Sequence, residues 1–262
     1  MGGAIMQGLA AAGGYPALVA TNRTAEKART LADLPGVSSI ALQDEPEANS
    51  QVAAAADVLL VGVKPVMVPD LLREVSGSLR RETVVVSLAA GVTIDTFENI
   101  LPAGQPVLRS MPNTPSLVGK GVTGIAAGTH ATEQNVAVVR ALFETVGVVV
   151  QVPESQIDPL STISGSGPAY FYFFVEQLTA AAEHQGFSRE QARALAEGTF
   201  VGAAALLQRS DVDPAELRRR VTSPKGTTEQ AVAVLSAAGF EDILQRATDA
   251  ALARAQQMAA GN

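Results

Sequence analysis

The segment Asp57-Val58-Leu59-Leu60-Val61-Gly62-Val63-Lys64-Pro65 contains one continuous apolar run that stops at a lysine and a proline. A short run rich in Val and Leu predicts a strand that is buried on both faces of a parallel sheet. Ligands of open α/β sheets bind outside the carboxyl ends of the strands. Lys64 is therefore predicted to face a binding cleft.

Further short apolar runs lie on both sides of this segment, with helical segments between them. The runs are Ala17 to Ala20, Val37 to Ala41, Val84 to Leu88, Val107 to Leu108, Val122 to Ala127 and Val146 to Val152. The segments with apolar residues at helical spacing are Thr24 to Leu34, Val66 to Val75 and Thr132 to Phe143. This alternation predicts a mostly parallel sheet covered by helices, which is an α/β domain.

The composition changes at Pro153, after which strand signals are absent and Ala, Leu, Glu, Gln and Arg dominate. These residues are good helix formers, so the second half is predicted to be all-α. Its predicted helices are Ala169 to Gln185, Ser188 to Gln208, Pro214 to Arg220, Thr228 to Ala238 and Phe240 to Ala259, with Gly186 and Gly239 as stops. We therefore predict an α/β domain over residues 1–153 and an all-helical domain over residues 154–262.

The overall composition narrows the class of protein. A chain of 262 residues that is 47% hydrophobic can bury a sizeable core. Lys and Arg total 19 against 26 Asp and Glu, and the basic run Arg218-Arg219-Arg220 is typical of a solvated helix face, so we expect no nucleic-acid partner. The chain has no cysteine, and His130 and His184 are far apart in sequence, so we expect no metal. No apolar run reaches the roughly 18 residues of a membrane helix, and no signal peptide opens the chain, so we expect a cytoplasmic protein without a membrane partner.

The chain opens with Met1-Gly2-Gly3-Ala4-Ile5 and continues directly into a helical pattern. A Rossmann-type dinucleotide-binding domain normally begins with a buried strand and Gly-x-Gly-x-x-Gly, whose glycines let the backbone approach the pyrophosphate. The opening looks like the last part of such a loop, so we expect the first strand to be missing. The alternative is that two glycines at a terminus carry no structural meaning.

The segment Thr21-Asn22-Arg23-Thr24 follows the next predicted strand, at the position that meets the adenine ribose in this type of domain. NAD-specific domains carry an acid there, which binds the 2′-hydroxyl. Asn22 and Arg23 could instead hold a 2′-phosphate through charge-assisted hydrogen bonds. The segment favours NADP(H) over NAD(H), and an arginine on a solvated helix start is the open alternative.

Two other segments have the composition of ligand-binding loops. Ser87-Leu88-Ala89-Ala90-Gly91 ends a strand with small residues, as expected where a flat nicotinamide ring approaches the backbone, although close packing would explain it too. Val221-Thr222-Ser223-Pro224-Lys225-Gly226-Thr227-Thr228-Glu229 places amides and hydroxyls before a predicted helix. A small carboxylate would bind there, with Thr227 or Thr228 as the helix cap, and an ordinary capped turn is the alternative.

These segments together resemble the pyrroline-5-carboxylate reductases over the whole length of the chain. Further shared features are Asn49 ahead of Ala56-Asp57, Arg109-Ser110-Met111-Pro112-Asn113-Thr114-Pro115, and Ser164-Gly165-Ser166-Gly167-Pro168-Ala169-Tyr170. The resemblance implies hydride transfer from NAD(P)H to the imine carbon of L-1-pyrroline-5-carboxylate, which gives L-proline in the last step of proline biosynthesis. NADPH is the expected cofactor and NADH the alternative.

The resemblance also implies roles for individual residues. The cofactor would meet the Met1-Gly2 remnant at its pyrophosphate, Asn22, Arg23 and Asn49 at its adenosine, Val63, Lys64 and Pro65 at its nicotinamide ribose, and Ala89 and Gly91 at its ring. The Thr228 hydroxyl would bond the ring nitrogen of the substrate, where charge develops as the hydride arrives. Ser223 and the backbone N–H groups of Lys225, Gly226 and Thr227 would bind the substrate carboxylate.

The chain departs from the family pattern in two places. The family usually has Gly where this chain has Lys225, whose side chain would either strengthen anion binding or crowd the loop if the position needs positive φ. The absent first strand would leave its apolar neighbours uncovered and the pyrophosphate half cradled. A truncated, cofactor-incompetent helical dimer without activity is therefore the alternative function.

The helical half also predicts assembly. Tyr170 to Val175 and Phe200 to Leu207 are apolar around much of the helix circumference, which favours burial against a second subunit over a self-contained bundle. The resemblance implies intertwined dimers that are often collected into rings. A dehydrogenase of the β-hydroxyacid type would share the two-domain plan, but it needs a catalytic lysine on the long interdomain helix, and Ser164 to Gln185 contains none.

Overall fold

The computed structural model describes residues 1–259, and the side chains of residues 1–257. The chain divides into two compact units. The first contains Met1–Ser166 together with the described residues from Ala251 to Ala259, and the second is Gly167–Ala250. The division into domains at residues 153 and 154 stays a prediction, because the contacts join residues 154–166 to the first unit.

The strands all lie in the first unit, and each forms at one of the predicted apolar runs. They are β1 Leu18–Asn22, β2 Val37–Ala41, β3 Val58–Val61, β4 Val84–Ser87, β5 Val107–Met111, β6 Gly121–Ala127 and β7 Gly147–Gln151. β1 and β2 form a separate parallel pair, and the other strands form a five-stranded sheet in the order β3-β4-β5-β6-β7. The prediction of a mostly parallel sheet with covering helices is confirmed.

One strand pair runs against the rest of the sheet. β6 is antiparallel to β5, whereas β3, β4 and β5 are parallel to one another and β6 is parallel to β7. Parallel neighbours need a crossover of about a dozen residues or more. The connection from Met111 to Gly121 holds only the short 3₁₀ turn Thr114–Val118, so the chain reverses direction instead.

The first unit has a helix at each of the predicted periodic segments and further helices besides. They are α1 Gly2–Ala12, α2 Ala25–Ala32, α3 Ala48–Ala55, α4 Val68–Ser76, α5 Ile94–Glu98, α6 Glu133–Glu144 and α7 Ile157–Leu160. Thr24 caps α2 and Thr132 forms a capping box with Asn135 at α6, which explains why these two helices begin where they do. We did not predict α3 and α5, because one is a featureless alanine-rich segment and the other has only five residues.

The five-stranded sheet carries apolar clusters on both faces. All four residues of β4 are buried. Successive strand residues point to opposite faces, so Val85 packs with Val61, Leu72 and Phe97, whereas Val84 and Val86 pack in the second cluster beneath α1 and α6. The double burial explains why this part of the sequence reads as continuous apolar runs.

The second unit is built from helices, and the prediction of an all-helical second half is confirmed. The helices are α8 Gly167–His184, α9 Arg189–Gln208, α10 Pro214–Arg220 and α11 Thr227–Ala237, and α12 Phe240–Ala259 begins in this unit. Gly186 and Gly239 end helices with φ values of 95° and 69°, which confirms both predicted stops. In the described part of the chain, no strand follows residue 153.

The second unit has almost no core of its own. Among residues 167–250, only Ala192 and Ala196 are buried. Large apolar side chains lie in solvent instead, for example Tyr172, Phe173, Val201, Leu206 and Val234, of which Val234 is 70% exposed. So much exposed apolar surface is typical of a region that packs against another chain.

No helix within residues 1–259 has both the length and the apolar character that crossing a membrane requires.

Candidate functional site

The start of α1 lies at the carboxyl end of β3. Met1 is the N-cap of α1, and its carbonyl accepts the N–H of Ala4 at 2.9 Å. A methyl group on Gly62, which follows β3, would lie 3.9 Å from the Cα of Gly2. Helix starts beside strand ends bind phosphate, because their first N–H groups lack helical partners and the dipole favours an anion. The structure thus brings Gly2 close to Gly62, which directly precedes Val63.

Asn49 lies at the carboxyl end of β1, where we predict the adenosine site. The hydroxyl of Thr21 donates to Asn49 Oδ1 at 2.7 Å, and Asn49 Nδ2 donates to Glu74 Oε1 at 3.0 Å. The neighbouring Asn22 Nδ2 is buried and has no hydrogen-bond partner among the described residues. A buried amide without an acceptor costs free energy, so Asn22 fits a ligand that supplies one.

Arg23 is exposed next to this position. Among the residues that the structure describes, its guanidinium donates only to the thioether of Met67, at 3.5 Å. A thioether is a weak acceptor, so a phosphate group would be a much stronger partner for this guanidinium. Thr24, which follows Arg23, is occupied as the cap of α2.

The loop after β4 lies next to the loop after β3, at the carboxyl ends of both strands. Leu88 N–H donates to the Val61 carbonyl at 3.0 Å, so the ends of β3 and β4 lie side by side. Ala89 is buried, and Gly91 has a left-handed φ of 75°. Lys64 and Pro65 are exposed just beyond β3, and Lys64 is the N-cap of the 3₁₀ turn Pro65–Met67. The residues predicted for the nicotinamide half therefore occur on two neighbouring loops.

These features fit a dinucleotide. A helix start, an unpaired buried amide, a guanidinium with a weak partner and a left-handed glycine all lie at the carboxyl ends of parallel strands, where open α/β sheets bind such cofactors. Within residues 1–259, no group of three or more His, Asp or Glu side chains is arranged to hold a metal ion.

The second predicted loop lies in the helical unit and leads into α11. Gly226 is the N-cap of this helix, with φ −83° and ψ 169°, and it makes no side-chain cap bond. The prediction that Thr227 or Thr228 caps the helix is therefore wrong, because α11 begins at Thr227 and both threonines belong to its first turn. Their N–H groups precede the first helical hydrogen bond, which Gln230 donates to the Gly226 carbonyl at 3.4 Å.

Two of the amides that we predict for the substrate carboxylate already have partners within the loop. Lys225 N–H donates to Glu229 Oε2 at 2.8 Å, and Gly226 N–H donates to the Ser223 carbonyl at 3.0 Å. Lys225 also has φ 61°, so this position does need positive φ. We did not predict a role for Glu229, although an acid in the first turn of a helix is a known partner for free backbone N–H groups.

The helix before the loop carries two ion pairs that share Glu216. Arg219 and Arg220 donate to Glu216 at 2.6 Å and 2.9 Å. These hydrogen bonds, that of Arg219 first, lower the pKa of Glu216 to about 2. The run Arg218-Arg219-Arg220 forms the last turn of α10, where cations also favour the helix dipole.

Known protein families match both the N-terminal and the C-terminal part of the chain. Residues 1–91 match a family model described as NADP oxidoreductase, coenzyme F420-dependent, and residues 154–258 match the model for pyrroline-5-carboxylate reductase dimerisation. A pyrroline-5-carboxylate reductase of Corynebacterium melassecola is 38% identical over 262 residues, which cover 98% of this chain and 95% of that protein.

Solved structures agree as well. The structure of a pyrroline-5-carboxylate reductase from Coxiella burnetii has a TM-score of 0.89 and 36% identity, and the match covers 97% of this chain and 93% of the other. The pyrroline carboxylate reductase of Plasmodium falciparum with NADP bound has a TM-score of 0.81 and 25% identity, over 99% and 94% of the two chains. The chain thus belongs to the pyrroline-5-carboxylate reductases, a family of NAD(P)H-dependent oxidoreductases.

Proposed function

We propose that this chain reduces L-1-pyrroline-5-carboxylate to L-proline with NADPH, in the last step of proline biosynthesis. The observation that carries the proposal is the presence of two complementary sites in one chain. The strand ends of the first unit fit a dinucleotide, and the Ser223–Thr228 loop before α11 fits a small carboxylate.

The first unit supplies the cofactor contacts. Asn22 and Asn49 meet the adenosine, and Arg23 holds the 2′-phosphate, which makes NADPH the preferred cofactor and NADH the weaker one. The pyrophosphate lies at Met1 and Gly2. The nicotinamide ribose and ring meet Val63, Lys64, Pro65, Ala89 and Gly91.

The loop of the second unit binds the substrate carboxylate. Thr227 N–H is free of helical partners because it lies in the first turn of α11. The Lys225 N–H donates to Glu229 at 2.8 Å in this structure. When the substrate carboxylate replaces the Glu229 carboxylate, the Lys225 N–H donates to the substrate together with the Thr227 N–H. Ser223 and Gly226 complete the loop, and their mutual bond of 3.0 Å keeps its turn closed.

Thr228 contacts the reacting group. The bound cofactor supplies the hydride, so this chain has to hold the substrate and stabilise the charge that develops. The Thr228 hydroxyl hydrogen-bonds the ring nitrogen, which gains the electron pair of the C=N π bond as the hydride reaches carbon. The nitrogen then takes a proton from solvent, and L-proline and NADP⁺ are the products.

The chain self-associates through its helical part. We propose a dimer, and a ring of dimers as the larger assembly, in which the exposed apolar side chains of residues 167–250 are buried. We further propose a cofactor domain over residues 1–153, a dimerisation and substrate domain over residues 154–262, and a cytoplasmic location for the enzyme.

The test follows NADPH oxidation by the purified chain with L-1-pyrroline-5-carboxylate, beside a fluorescence titration of NADPH without substrate. We expect turnover that depends on both compounds and formation of L-proline. If NADPH does not bind and the protein is nevertheless a folded dimer, the alternative of a cofactor-incompetent helical dimer replaces the proposal. If NADPH binds but the imine is not reduced, the assigned substrate is wrong.

A further inference from the structure

Arg109 and Ser110 are neighbours within β5, in a segment to which the proposed reaction assigns no role. Both side chains are buried, with 3% and 2% of their surfaces exposed. Neighbouring residues of a strand point to opposite faces of the sheet. Arg109 and Ser110 therefore make their contacts on different sides of the same strand.

Ser110 is connected to the beginning of the loop Leu88–Thr93. Its hydroxyl donates to the Ser87 carbonyl at 2.7 Å. The hydroxyl of Ser87, which is 1% exposed, accepts the N–H of Ala89 at 3.3 Å. These buried hydrogen bonds fix the point where the backbone leaves β4.

Arg109 is connected to the end of the same loop. Its guanidinium lies 3.3 Å from Glu154 Oε1 and 2.5 Å from Asp158 Oδ1. Glu154 Oε1 also accepts the N–H of Ile94 at 2.7 Å, directly after the loop. A buried arginine needs carboxylate partners, so Arg109 holds Glu154 in place and Glu154 holds Ile94.

Ala89 and Gly91 lie within this loop, between its two attachments. Gly91 has φ 75°, and the turn is closed by a long bond of 3.4 Å from Val92 N–H to the Ala89 carbonyl. Leu88 N–H also donates to the Val61 carbonyl at 3.0 Å, and the buried side chains of Ala89 and Val92 pack in the core. Hydride transfer is sensitive to misplacement, because a shift of about 1 Å can reduce the rate by about 100-fold.

We infer that Arg109 and Ser110 are positioning residues for hydride transfer, which fix the two ends of the Leu88–Thr93 loop against the nicotinamide ring. The inference rests on the proposed function. Neither residue touches the cofactor. Each acts through a second residue, Arg109 through Glu154 and Ser110 through Ser87.

The test measures kcat, KM and the primary deuterium isotope effect on kcat, using NADPH deuterated at the transferred position. The variants are Ser110→Ala and Glu154→Ala, with Glu154→Gln as the conservative change whose oxygen still accepts from Ile94. Thr83→Val is the matched control, because Thr83 is buried at the other end of β4 and its hydroxyl donates to the Ala56 carbonyl at 2.8 Å.

We expect Ser110→Ala and Glu154→Ala to lower kcat about tenfold and to enlarge the isotope effect, because misplacement slows the hydride step itself. KM for the imine should change less than kcat. Glu154→Gln should recover most of the loss, and Thr83→Val should retain the isotope effect of the unmodified enzyme.

A purely structural role would lower the folded fraction and leave the isotope effect unchanged. If Ser110→Ala and Glu154→Ala match Thr83→Val in isotope effect and kcat, the inference is overturned. Should Ser110→Ala fail to fold, the comparison of Glu154→Ala with Glu154→Gln decides the question on its own. An unmodified chain that does not reduce the imine would instead overturn the proposed function.

Discussion

The carboxylate of Glu229 accepts the backbone N–H of Lys225 at 2.8 Å, and Lys225 has a left-handed φ of 61°. Lys225 is the only residue other than glycine with positive φ in the described part of the chain. This conformation costs an L-residue roughly 1–2 kcal/mol. The bond to Glu229 therefore stabilises a strained backbone within the loop that we propose for the substrate carboxylate.

We predict that Lys225→Gly raises the free energy of unfolding by up to about 1 kcal/mol. Glycine adopts positive φ without strain, and the greater entropy of glycine in the unfolded chain offsets part of the gain. The measurement is chemical denaturation of the dimer at a fixed protein concentration. Lys225→Ala keeps the Cβ atom and should give no such gain, so equal stabilisation by both variants would contradict the strain argument.

Arg23→Ala should weaken the binding of NADPH and leave the binding of NADH nearly unchanged. Charge-assisted hydrogen bonds contribute about 1.5–3 kcal/mol, so we expect KM for NADPH to rise about 10- to 100-fold while KM for NADH changes little. The loss of the 3.5 Å contact with Met67 should have little effect on folding. The measurement is steady-state kinetics with each cofactor.

The control for this experiment is Arg29→Ala. Arg29 is an exposed arginine in the last turn of α2, the helix that begins just after Arg23. Removing it changes the net charge by the same amount without touching the ribose position. A rise in KM for NADPH of similar size in both variants would mean that Arg23 acts only through the overall field.

The sequence predicts those strands and helix ends that are determined by residues close together in the chain. The runs Val58–Val61 and Val84–Ser87 form strands because β-branched and leucine side chains favour the pleated surface of a sheet. All residues of Val84–Ser87 are buried, whereas Val58–Val61 lies at the edge of the sheet, with Val61 buried and its other residues half-buried. Gly186 and Gly239 end helices because only glycine adopts their φ values readily. Such features depend on neighbours in the chain, so one sequence is enough to find them.

The features that the sequence did not predict depend on contacts between distant segments. Arg109 and Glu154 are 45 residues apart, and no local pattern pairs them. The arginine inside an apolar run, Val107-Leu108-Arg109, was nevertheless a usable signal, because a buried strand position for Arg requires a carboxylate elsewhere. The capping of α11 was missed for a different reason, since Gly226 caps without a side chain and leaves no residue-type signal.

Glu216 should titrate with a midpoint near pH 2 in the folded protein, because its hydrogen bonds with Arg219 and Arg220 lower its pKa to about 2 from the ordinary 4.5. A pKa that is lower in the folded state contributes stability above the ordinary pKa, and the contribution is lost as the pH falls through the folded value. The ion pair therefore stabilises α10 above about pH 4.5 and loses its effect between 4.5 and 2.

The measurement is an NMR titration of the Glu216 side chain. Arg219→Gln should move the midpoint upward, toward the ordinary value, because Arg219 makes the largest contribution to the lowered pKa. Arg218→Gln is the control, since the structure shows no ion pair between Arg218 and Glu216. Equal shifts in both variants would show that the net charge of α10, rather than the hydrogen bonds, sets the pKa of Glu216.

Thr228→Val should lower kcat with L-1-pyrroline-5-carboxylate by about 100-fold, the lower limit for loss of a positioned hydrogen-bonding group at the reacting atom. Valine is close to threonine in shape and retains the backbone N–H, so binding of the carboxylate should persist and KM for NADPH should stay unchanged. Because Thr228 is exposed in the first turn of α11, loss of its hydroxyl should not affect folding.

Thr228→Ser restores the hydroxyl and should recover most of the activity. Valine keeps the side-chain volume and removes the hydroxyl, whereas serine keeps the hydroxyl and reduces the volume. The two variants therefore distinguish the effect of the hydroxyl from the effect of packing. If valine and serine lower kcat equally, then packing around residue 228 rather than a hydrogen bond to the ring nitrogen is what the reaction requires. If valine raises only KM, Thr228 contributes to substrate binding in the ground state and not to the hydride step.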